Sequence, residues 1–503
     1  MNIKSDVLVI GAGGAGLTAA IKAKESGAAV MVITKEYPTR SQTCMAQGGI
    51  NAALGNAGED SIEAHIQNTL KSAHNQADEE AIRFMCESAP DAVKWLDALG
   101  VCFSRTDDAE IAQRKLGGAS ASRACYAQDY TGLKILHTLY DTALKMGIEI
   151  KNDLYLLELL KSEERVCGVK VLDIRTGEVG VIKAKAVIMA TGGYSRIYDK
   201  NSTNSTASTG DGIALASKAG AELIDMEFIQ FHPTALKNSS ILISESARGE
   251  GGYLLNAKKE RFTNELAPRD EVSRAIDAEI KKGSEIFLDI RHLGEAFIDA
   301  GLPQERKLAK LYENVDPVHE LIPIRPVAHY TMGGIAVDHK SQTNVSGLFA
   351  CGECANHRVH GANRLGGNSL LEIVVFGKEA GLNAAQYAQT VEETKIVLNH
   401  ETVIEKIRTY TNELNFYEKR EYIGNLFYEN VGIVRTKEQL LYAQKEIEKI
   451  RDELPKMGVK DSAKVYNTNL VEFIEFLNML DICEAVLKGA IARDESCGAH
   501  YIV

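Results

Sequence analysis

The sequence predicts an α/β protein that begins with a doubly wound parallel sheet, continues through a mixed segment and ends in a helical region. Three observations lead to this prediction. An apolar strand at residues 7–10 runs into a glycine turn and an Ala-rich helix, which is how a β-α-β unit starts. A second apolar strand at residues 186–190 ends in another glycine turn. Beyond residue 385 glycines become rarer and helical periodicity dominates.

The bulk composition excludes several classes of protein. A chain of 503 residues suggests about three domains. The net charge of −12 argues against a nucleic-acid partner, because phosphates would meet no broad basic face. The absence of a run of 18 apolar residues predicts that nothing spans a membrane. The N-terminus has no basic export signal and the nine cysteines are dispersed, so we expect a reducing, cytoplasmic location.

The first glycine turn has the spacing of a dinucleotide-binding site. Gly11 permits the turn, Gly13 lets the backbone approach a pyrophosphate, and Gly16 lets the helix pack on the strand. The next strand, at residues 29–33, ends in Thr34-Lys35 rather than in an acid that would bind a ribose. That departure points away from a plain NAD site. A polar, glycine-rich stretch at residues 40–50 suits a segment that lies along the cofactor.

Further periodicities predict the remaining elements. The Ile82 and Met85 pattern predicts a helix over 78–88, and Pro90 predicts the first turn of a second helix. We also predict strands between 154 and 183 with a turn at 175–178, and helices over 131–146, from Asp211, over 436–454 and over 469–487. The lone Cys351-x-x-Cys354 pair is interpreted as buried thiols rather than as a metal site, and no metal is predicted.

Isolated charged and polar residues mark a candidate site in the second half of the chain. Arg364 lies in the Gly- and Asn-rich stretch 360–370, where a guanidinium suits two-point recognition of a carboxylate. His232, the pair Glu245 and Arg248, and Arg269 lie between 226 and 325. Taken singly, each has an ordinary alternative: a solvated turn arginine, a turn histidine, an ion pair on a helix face or a helix-start arginine.

Taken together, these motifs resemble one enzyme family. The strings HYTMGG at 329–334 and HGANRLGGNSL at 360–370, with the collinear motifs before them, are similar to the flavoprotein subunit of the fumarate reductase/succinate dehydrogenase family, which includes L-aspartate oxidase. The resemblance covers most of the chain. It implies a doubly wound, Rossmann-like FAD-binding domain interrupted by an α+β capping domain and followed by a helical C-terminal region. The boundaries we expect are 1–225 and 326–385 for the FAD-binding domain, 226–325 for the capping domain and 386–503 for the helical domain.

The resemblance also implies a role for individual residues. Substrate contacts would fall to His232, Ser244, His329 and Arg364. Arg269 would exchange a proton with the substrate, and Glu245 and Arg248 would pass protons between Arg269 and solvent. The expected FAD contacts are Gly11, Gly13, Gly14, Gly16, Thr34, Lys35, Ser41, Thr43, Gln47, Gly48, Gly49, Asp211, Glu353, Arg364, Ser369 and Leu370.

Two departures from the family pattern modify these expectations. Membrane-complex members usually attach FAD covalently to a histidine, where this chain has Gln42. Glutamine has no nucleophile for that bond, so we predict non-covalent FAD. The C-terminal motif carries Cys497 where the family has arginine, and the chain ends at Val503 without the family's longer final segment. This departure puts docking to a standard iron–sulfur subunit in doubt, although a different one could serve.

The resemblance favours one reaction and leaves two alternatives. We expect a fumarate reductase, reversible as a succinate dehydrogenase, acting in electron transport and anaerobic respiration with an iron–sulfur partner that holds it at the inner membrane. The alternative is L-aspartate oxidase, which tends to place a glutamate before the paired glycines of one substrate loop; here Leu116 precedes Gly117 and Gly118. A non-catalytic flavin-binding module would have lost the charged substrate residues, and all of them are present.

Overall fold

The computed structural model describes residues 2–393 and 402–503. Residue 1 and residues 394–401, which fall in the first and last predicted domains, lie outside this part. The strands are β1 Asn2–Ile10, β2 Val30–Ile33, β3 Ile50–Asn51, β4 Gln113–Arg114, β5 Ala124–Cys125, β6 Glu149–Lys151, β7 Leu154–Ser162, β8 Arg165–Asp173, β9 Glu178–Met189, β10 Leu223–Ile224, β11 Ile229–Leu236, β12 Tyr253–Leu255, β13 Ile286–Asp289, β14 Ile322–Thr331, β15 Gly334–Ala336, β16 Leu348–Ala350 and β17 Ala355–Asn356.

The helices surround these strands and dominate the last quarter of the chain. They are α1 Gly14–Glu25, α2 Ile62–Ser72, α3 Glu79–Glu87, α4 Ala89–Leu99, α5 Thr131–Lys145, α6 Asp211–Lys218, α7 Glu245–Gly249, α8 Arg269–Lys281, α9 Glu295–Gly301, α10 Pro303–Tyr312, α11 Asn368–Thr390, α12 Val403–Ile407, α13 Phe416–Asn430, α14 Lys437–Glu453 and α15 Thr468–Ala492. Within the described ranges, none of them combines the length and the apolar character that crossing a membrane requires.

The main sheet has the order β6-β2-β1-β9-β8-β7, and β16 also pairs with β9. Strands β6, β2, β1, β9 and β16 run parallel, whereas β8 and β7 are antiparallel additions. Helices cover both faces: α1 and α11 pack on one, and α6 with the C-terminal helices closes the other. This is the doubly wound arrangement that the sequence predicts.

The first β-α turn shows why its glycines are needed. Gly11 has a φ of +107°, and a Cβ there would meet the Ala190 carbonyl oxygen at 2.2 Å. A side chain would therefore be excluded both by its own backbone conformation and by the neighbouring strand β9. The turn can thus run close under the end of β9, and both segments reach the same edge of the sheet.

A second, antiparallel sheet has the order β11-β14-β13-β12. It has a core of its own, which includes Leu236, Leu254, Ile286 and Ile322, and α8 packs on β11. Strands β11, β12 and β13 lie within the segment predicted to cap the site, whereas β14 extends beyond it to Thr331. The exact division of the chain into domains remains a prediction.

Most of the predicted elements are present, with one difference of extent. The helices predicted over 78–88, 131–146, 436–454 and 469–487 are α3, α5, α14 and α15, and every end lies within five residues of its predicted position. The apolar strand predicted from residue 186 is the last third of β9, which begins at Glu178. Residues 178–181 are exposed or half-buried, and residues 182–185 alternate between buried and half-buried positions, while 186–189 are buried throughout.

Candidate active site

A cleft of about 1720 Å³, including its opening to solvent, lies at the carboxyl ends of the parallel strands β1, β2, β9 and β16. Ligands of doubly wound sheets bind at this edge. The predicted site residues that line it are Gly11, Gly13, Gly14, Thr34, Lys35, Ser41, Gln42, Thr43, Gln47, Gly48, Gly49, Asp211, His232, Ser244, Glu245, Arg269, His329, Glu353, Arg364, Ser369 and Leu370. The structure therefore gathers segments that are far apart in the sequence into one place.

Two predicted residues do not line the cleft. Gly16 lies beneath the turn, where a Cβ would be 2.0 Å from the Gly11 carbonyl oxygen, so its role is to let α1 pack against the turn. Arg248 is fully buried behind Glu245 and has no face on the cleft.

One end of the cleft is lined by backbone and by polar atoms without partners. The Ser41 hydroxyl, the Thr191 hydroxyl and both polar atoms of the Gln47 amide are buried and make no hydrogen bond. Gly13 is the N-cap of α1 with an ordinary φ of −75°, and a Cβ there would come no closer than 3.6 Å to any atom. Neither strain nor packing within the protein requires this glycine. Orphaned donors and an open helix N-terminus fit a phosphate-bearing cofactor.

Lys35 and Asp211, both predicted to touch the cofactor, meet each other. The Lys35 ammonium donates to the Asp211 carboxylate at 2.6 Å and to Glu475 of α15 at 2.7 Å. Burial opposes the charge on Lys35, but the two carboxylates outweigh it and raise the pKa of this ammonium. Glu475 was not predicted; it comes from a helix more than 400 residues away along the chain.

Glu353 closes the cofactor side of the cleft. Its carboxylate accepts the backbone N–H of Thr331 at 3.0 Å and the Thr331 hydroxyl at 3.2 Å. Burial raises the pKa of Glu353 to about 7 against these hydrogen bonds and against the charge of Arg364.

The other end of the cleft contains the predicted substrate residues. His232 lies on β11 and His329 on the neighbouring strand β14, and their ring centroids are 4.8 Å apart. Burial, followed by the charge of Arg269, lowers the pKa of both histidines well below the usual value. Both are therefore neutral near pH 7 and can donate one ring N–H each. The Thr203 hydroxyl lies 2.7 Å from His329 Nδ1 and orients that ring.

Arg364 is 3% exposed, so the solvated alternative does not hold. Its guanidinium carbon lies 4.4 Å from the centroid of the Tyr330 ring, and one nitrogen donates to the Leu365 carbonyl at 3.3 Å. The Nε–H is buried without a partner. Burial and then the charge of Arg269 lower the pKa of Arg364 to about 10, which leaves it charged near neutral pH. A buried cation with an unused donor is suited to bind an anion.

Arg269, Glu245 and Arg248 form a buried row of charges, which we call the charge row. Arg269 is the first residue of α8, and its Nε and Nη2 donate to one Glu245 oxygen at 2.9 and 2.6 Å. The other Glu245 oxygen lies 3.6 Å from Arg248. Burial would raise the pKa of Glu245, but the two arginines outweigh it and lower that pKa. A surface ion pair at Arg269 is therefore ruled out.

The structure adds residues that the motifs alone did not reveal. Gln230 accepts from Arg269 at 3.0 Å through its oxygen, and its amide donates to Asn363 and to the Arg364 carbonyl, both at 2.8 Å. It thus joins the charge row to the loop of Arg364. The sequence signal that could have identified Gln230 is its place two residues before His232 on one strand.

The Gly117 N–H also donates to Glu245 at 2.9 Å, and a Cβ at Gly117 would lie 2.3 Å from that carboxylate.

The fold and the cleft are those of a flavin-dependent oxidoreductase. The family described as "FAD binding domain" matches residues 6–370. The family described as "Fumarate reductase flavoprotein C-term" matches residues 420–502. The chain therefore belongs to the succinate dehydrogenase/fumarate reductase flavoprotein family.

Individual relatives agree with this assignment. The chain is 40% identical to the succinate dehydrogenase flavoprotein subunit of Rickettsia bellii, over 99% of this chain and 89% of that protein. It is 39% identical to the 8-methylmenaquinol:fumarate reductase flavoprotein subunit of Wolinella succinogenes, over 99% and 85%. A structure of E. coli quinol fumarate reductase superimposes with a TM-score of 0.94, at 36% identity, and covers 100% of this chain and 92% of that one.

Proposed function

We propose that this protein reduces fumarate to succinate with non-covalently bound FAD and can run the reaction in reverse. The observation that supports this most is the position of Arg269. It faces the cleft that also contains His232, His329 and Arg364, while its rear side is bonded to the buried Glu245. A general acid next to a dicarboxylate site requires this combination of access to the substrate and a proton supply from behind.

The substrate end suits a flat dianion. Arg364 offers a fixed charge and an unused N–H, and the two neutral histidines offer N–H donors from adjacent strands. Donors held in place by a buried scaffold stabilise developing charge better than mobile water does. We assign Arg364, His232, His329 and Ser244 to binding and polarising the two carboxylates.

Reduced FAD, held at the cofactor end, would supply a hydride to one alkene carbon. The second alkene carbon then needs a proton, and Arg269 is the donor. Arginine is too weak an acid to lose a proton at rest. It must therefore stay charged and release the proton only as negative charge develops on the carbon. The proton is replaced at once from solvent, passed through Arg248 and Glu245. Both of those residues are buried, and Glu245 contacts Arg248 and Arg269.

The attachment of FAD follows from the residue at position 42. The Gln42 side-chain oxygen accepts the backbone N–H of Ser205 at 2.7 Å, and Gln42 lines the cleft. An amide cannot form the flavin bond that a histidine forms. Because that bond raises the flavin potential in the family, its loss favours fumarate reduction over succinate oxidation.

L-Aspartate oxidation is the alternative reaction, and one side chain argues against it. Leu116, which stands where those oxidases tend to have a glutamate, lines the cleft and is 2% exposed. An apolar side chain there offers no partner for a substrate ammonium.

One pair of assays tests the proposal. Under anaerobic conditions, reduced viologen should be oxidised when fumarate is added. With L-aspartate and oxygen, no peroxide should form. Oxidation of aspartate without any fumarate turnover would contradict the proposal. Bound flavin with neither activity would instead favour a non-catalytic flavin-binding module.

The electrons are expected to come from another protein. In residues 2–393 and 402–503 no group of three or more His, Cys, Asp or Glu side chains is placed to hold a metal ion. We propose an iron–sulfur partner that delivers electrons to the flavin and places the enzyme in the cytoplasm beside the inner membrane. The subunit names of the relatives support an assembly of this kind.

A further inference from the structure

A second group of buried charges, which the proposed reaction does not use, lies behind Ser244. It consists of Glu305 on α10, Asp129 two residues before the start of α5, and Arg114 on β4; we call it the carboxyl cluster. Glu305 and Asp129 are fully buried, and Arg114 is 7% exposed. The cluster joins three segments that are far apart in the sequence.

The contacts of the carboxyl cluster reach both ends of the cleft. A Glu305 oxygen accepts the backbone N–H of Ser244 at 3.1 Å. An Asp129 oxygen accepts the N–H of Gln304 at 2.7 Å and that of Glu305 at 3.4 Å, and so caps the start of α10. Arg114 donates to the carbonyl of Gly48 at 2.9 Å, in the predicted cofactor loop.

Ser244 in turn positions two residues of the charge row. Its hydroxyl accepts the Ser246 N–H at 3.1 Å and caps α7, the short helix that carries Glu245 and Arg248. The Glu305 carboxyl holds this cap from the other side of the Ser244 backbone. A shift of Glu305 would therefore move a proposed substrate ligand together with the start of α7.

With both carboxyls ionised, the carboxyl cluster would carry more negative than positive charge, so one carboxyl can hold a proton. The second oxygen of Glu305 and the second oxygen of Asp129 are both buried without a hydrogen-bond partner. The charged or titratable groups that face Glu305 are Asp129, Arg114 and, through its phenol, Tyr130. Arg114 is also shared with Glu250. One guanidinium cannot compensate two buried carboxylates, and an ion with an unpaired buried oxygen is costly.

We propose that Glu305 is a positioning residue, retained as a neutral carboxylic acid, that holds α10 against Asp129 and fixes Ser244 for dicarboxylate binding. This inference rests on the proposed function, because it uses Ser244 as a substrate ligand. Burial, then the charge of Asp129, raises the pKa of Glu305 well above the usual value.

The direction of the pH effect follows from linkage. The pKa of Glu305 is higher when α10 is packed against Asp129 than when α10 has moved away and Glu305 meets solvent. The contact between Glu305 and Ser244 is therefore fully stable at low pH and weakens as Glu305 ionises. An ionised carboxylate would accept the Ser244 N–H more strongly, but burial of a second charge beside Asp129 costs more than one hydrogen bond gains. Opening of α10 and loss of substrate affinity are the expected result.

The test compares Glu305→Gln with Glu305→Leu in the flavin-loaded protein. The amide keeps an acceptor for Ser244 and cannot ionise, whereas leucine removes the acceptor. Wild-type KM for fumarate should rise about tenfold as the pH is raised far enough to ionise Glu305, with kcat little changed. Glu305→Gln should keep a KM that varies with pH less than threefold or so over the same rise in pH. Glu305→Leu should have a KM that is raised at every pH.

Hydrogen exchange gives a second measurement that needs no turnover. The Ser244 amide and the first turn of α10 should exchange faster in Glu305→Leu, and in wild type at high pH after correction for intrinsic rates. Glu271→Gln, an exposed glutamate on α8, is the matched control and should behave as wild type. If Glu305→Gln retains the wild-type rise of KM with pH, or Glu305→Leu leaves the Ser244 amide protected, the inference is overturned. Absence of fumarate turnover with the predicted exchange pattern would instead reject the proposed function.

Discussion

Arg269 and Arg364 differ by what lies behind each guanidinium. Arg269 is backed by Glu245, whose other oxygen faces Arg248, and we propose that this pair replaces a proton that leaves Arg269. Arg364 is backed by the face of Tyr330 and donates to the Leu365 carbonyl, and neither of these groups is a carboxylate. The same residue type is therefore suited to proton transfer at one position and to carboxylate binding at the other.

Substitution of each arginine should separate these roles. Arg269→Gln should lower the rate of fumarate reduction by about 100- to 10,000-fold, the usual contribution of a positioned acid, with dicarboxylate affinity largely kept. Arg364→Gln should damage both. The measurements are viologen-linked turnover and a succinate titration followed by flavin absorbance. Lys281→Gln, an exposed position on α8, is the control for loss of one positive charge. A full rate in Arg269→Gln would show that the assignment is wrong.

The presence of Gln42 leads to a prediction about how FAD is attached. Precipitation of the protein in acid should release all of the flavin, because the Gln42 amide, bonded to the Ser205 N–H, cannot hold it covalently. The yellow colour should appear in the supernatant and can be measured by absorbance. Colour that stays in the precipitate would contradict non-covalent binding.

At the scale of elements, two glycines of the β1-turn-α1 unit have different roles. Gly16 is needed for packing, and we assign Gly13 to cofactor binding. Gly16 has no space for a side chain, because the Gly11 carbonyl would be 2.0 Å from its Cβ. Gly13 has space and an ordinary φ. The two glycines therefore serve different purposes within one motif.

Alanine at these two positions should give different results. Gly16→Ala should destabilise the flavin-free protein by about 1–3 kcal/mol, the cost of overpacking, and should also weaken FAD binding. Gly13→Ala should leave the thermal midpoint of the flavin-free protein unchanged and weaken FAD binding alone, because the methyl group would occupy the path of the pyrophosphate. Thermal unfolding and FAD titration by fluorescence measure the two effects. Wild-type FAD affinity in Gly13→Ala would contradict the assigned cofactor path.

At the scale of the whole molecule, the C-terminal segment supports the loop of Arg364 from behind. The Ala499 N–H donates to the Ala362 carbonyl at 2.8 Å, two residues before Arg364. His500 is fully buried, and its Nδ1 accepts from Arg435 at 2.9 Å. Arg435 is fully buried as well. Burial, then the charge of Arg435, lowers the pKa of His500 to about 4, which keeps the ring neutral and able to accept.

Removal of the His500 ring should therefore affect both the stability of the protein and the substrate end of the cleft. His500→Ala leaves Arg435 buried without this acceptor, and we expect a loss of about 2–3 kcal/mol in the free energy of unfolding. Faster hydrogen exchange at residues 493–503 and at the Ala499 amide should accompany it, together with a higher KM for fumarate. Val503→Ala, at a side chain that is 71% exposed, serves as the control. An unchanged exchange rate at Ala499 would mean that the segment does not support the loop.

The parts of the fold that could be predicted depend on local chemistry. The glycine turn after β1 follows from backbone conformation, and α14 follows from apolar periodicity over many residues. Gln230, Glu475 and Glu305 could not be assigned in this way. Each acquires its partner across a long stretch of chain, as in the contact of Glu475 with Lys35. No local pattern records such pairings.

By itself, the sequence determined the strand-turn-helix units, the class of cofactor site and the family, because glycine conformation, periodicity and long motifs are properties of neighbouring residues. Only the tertiary structure decided that Arg269 is buried against Glu245, that the histidines lie 4.8 Å apart and that Glu305 reaches Ser244. The physical reason is that burial and the electric field of distant side chains set the charge and orientation of a group, and both arise only when separate segments pack together.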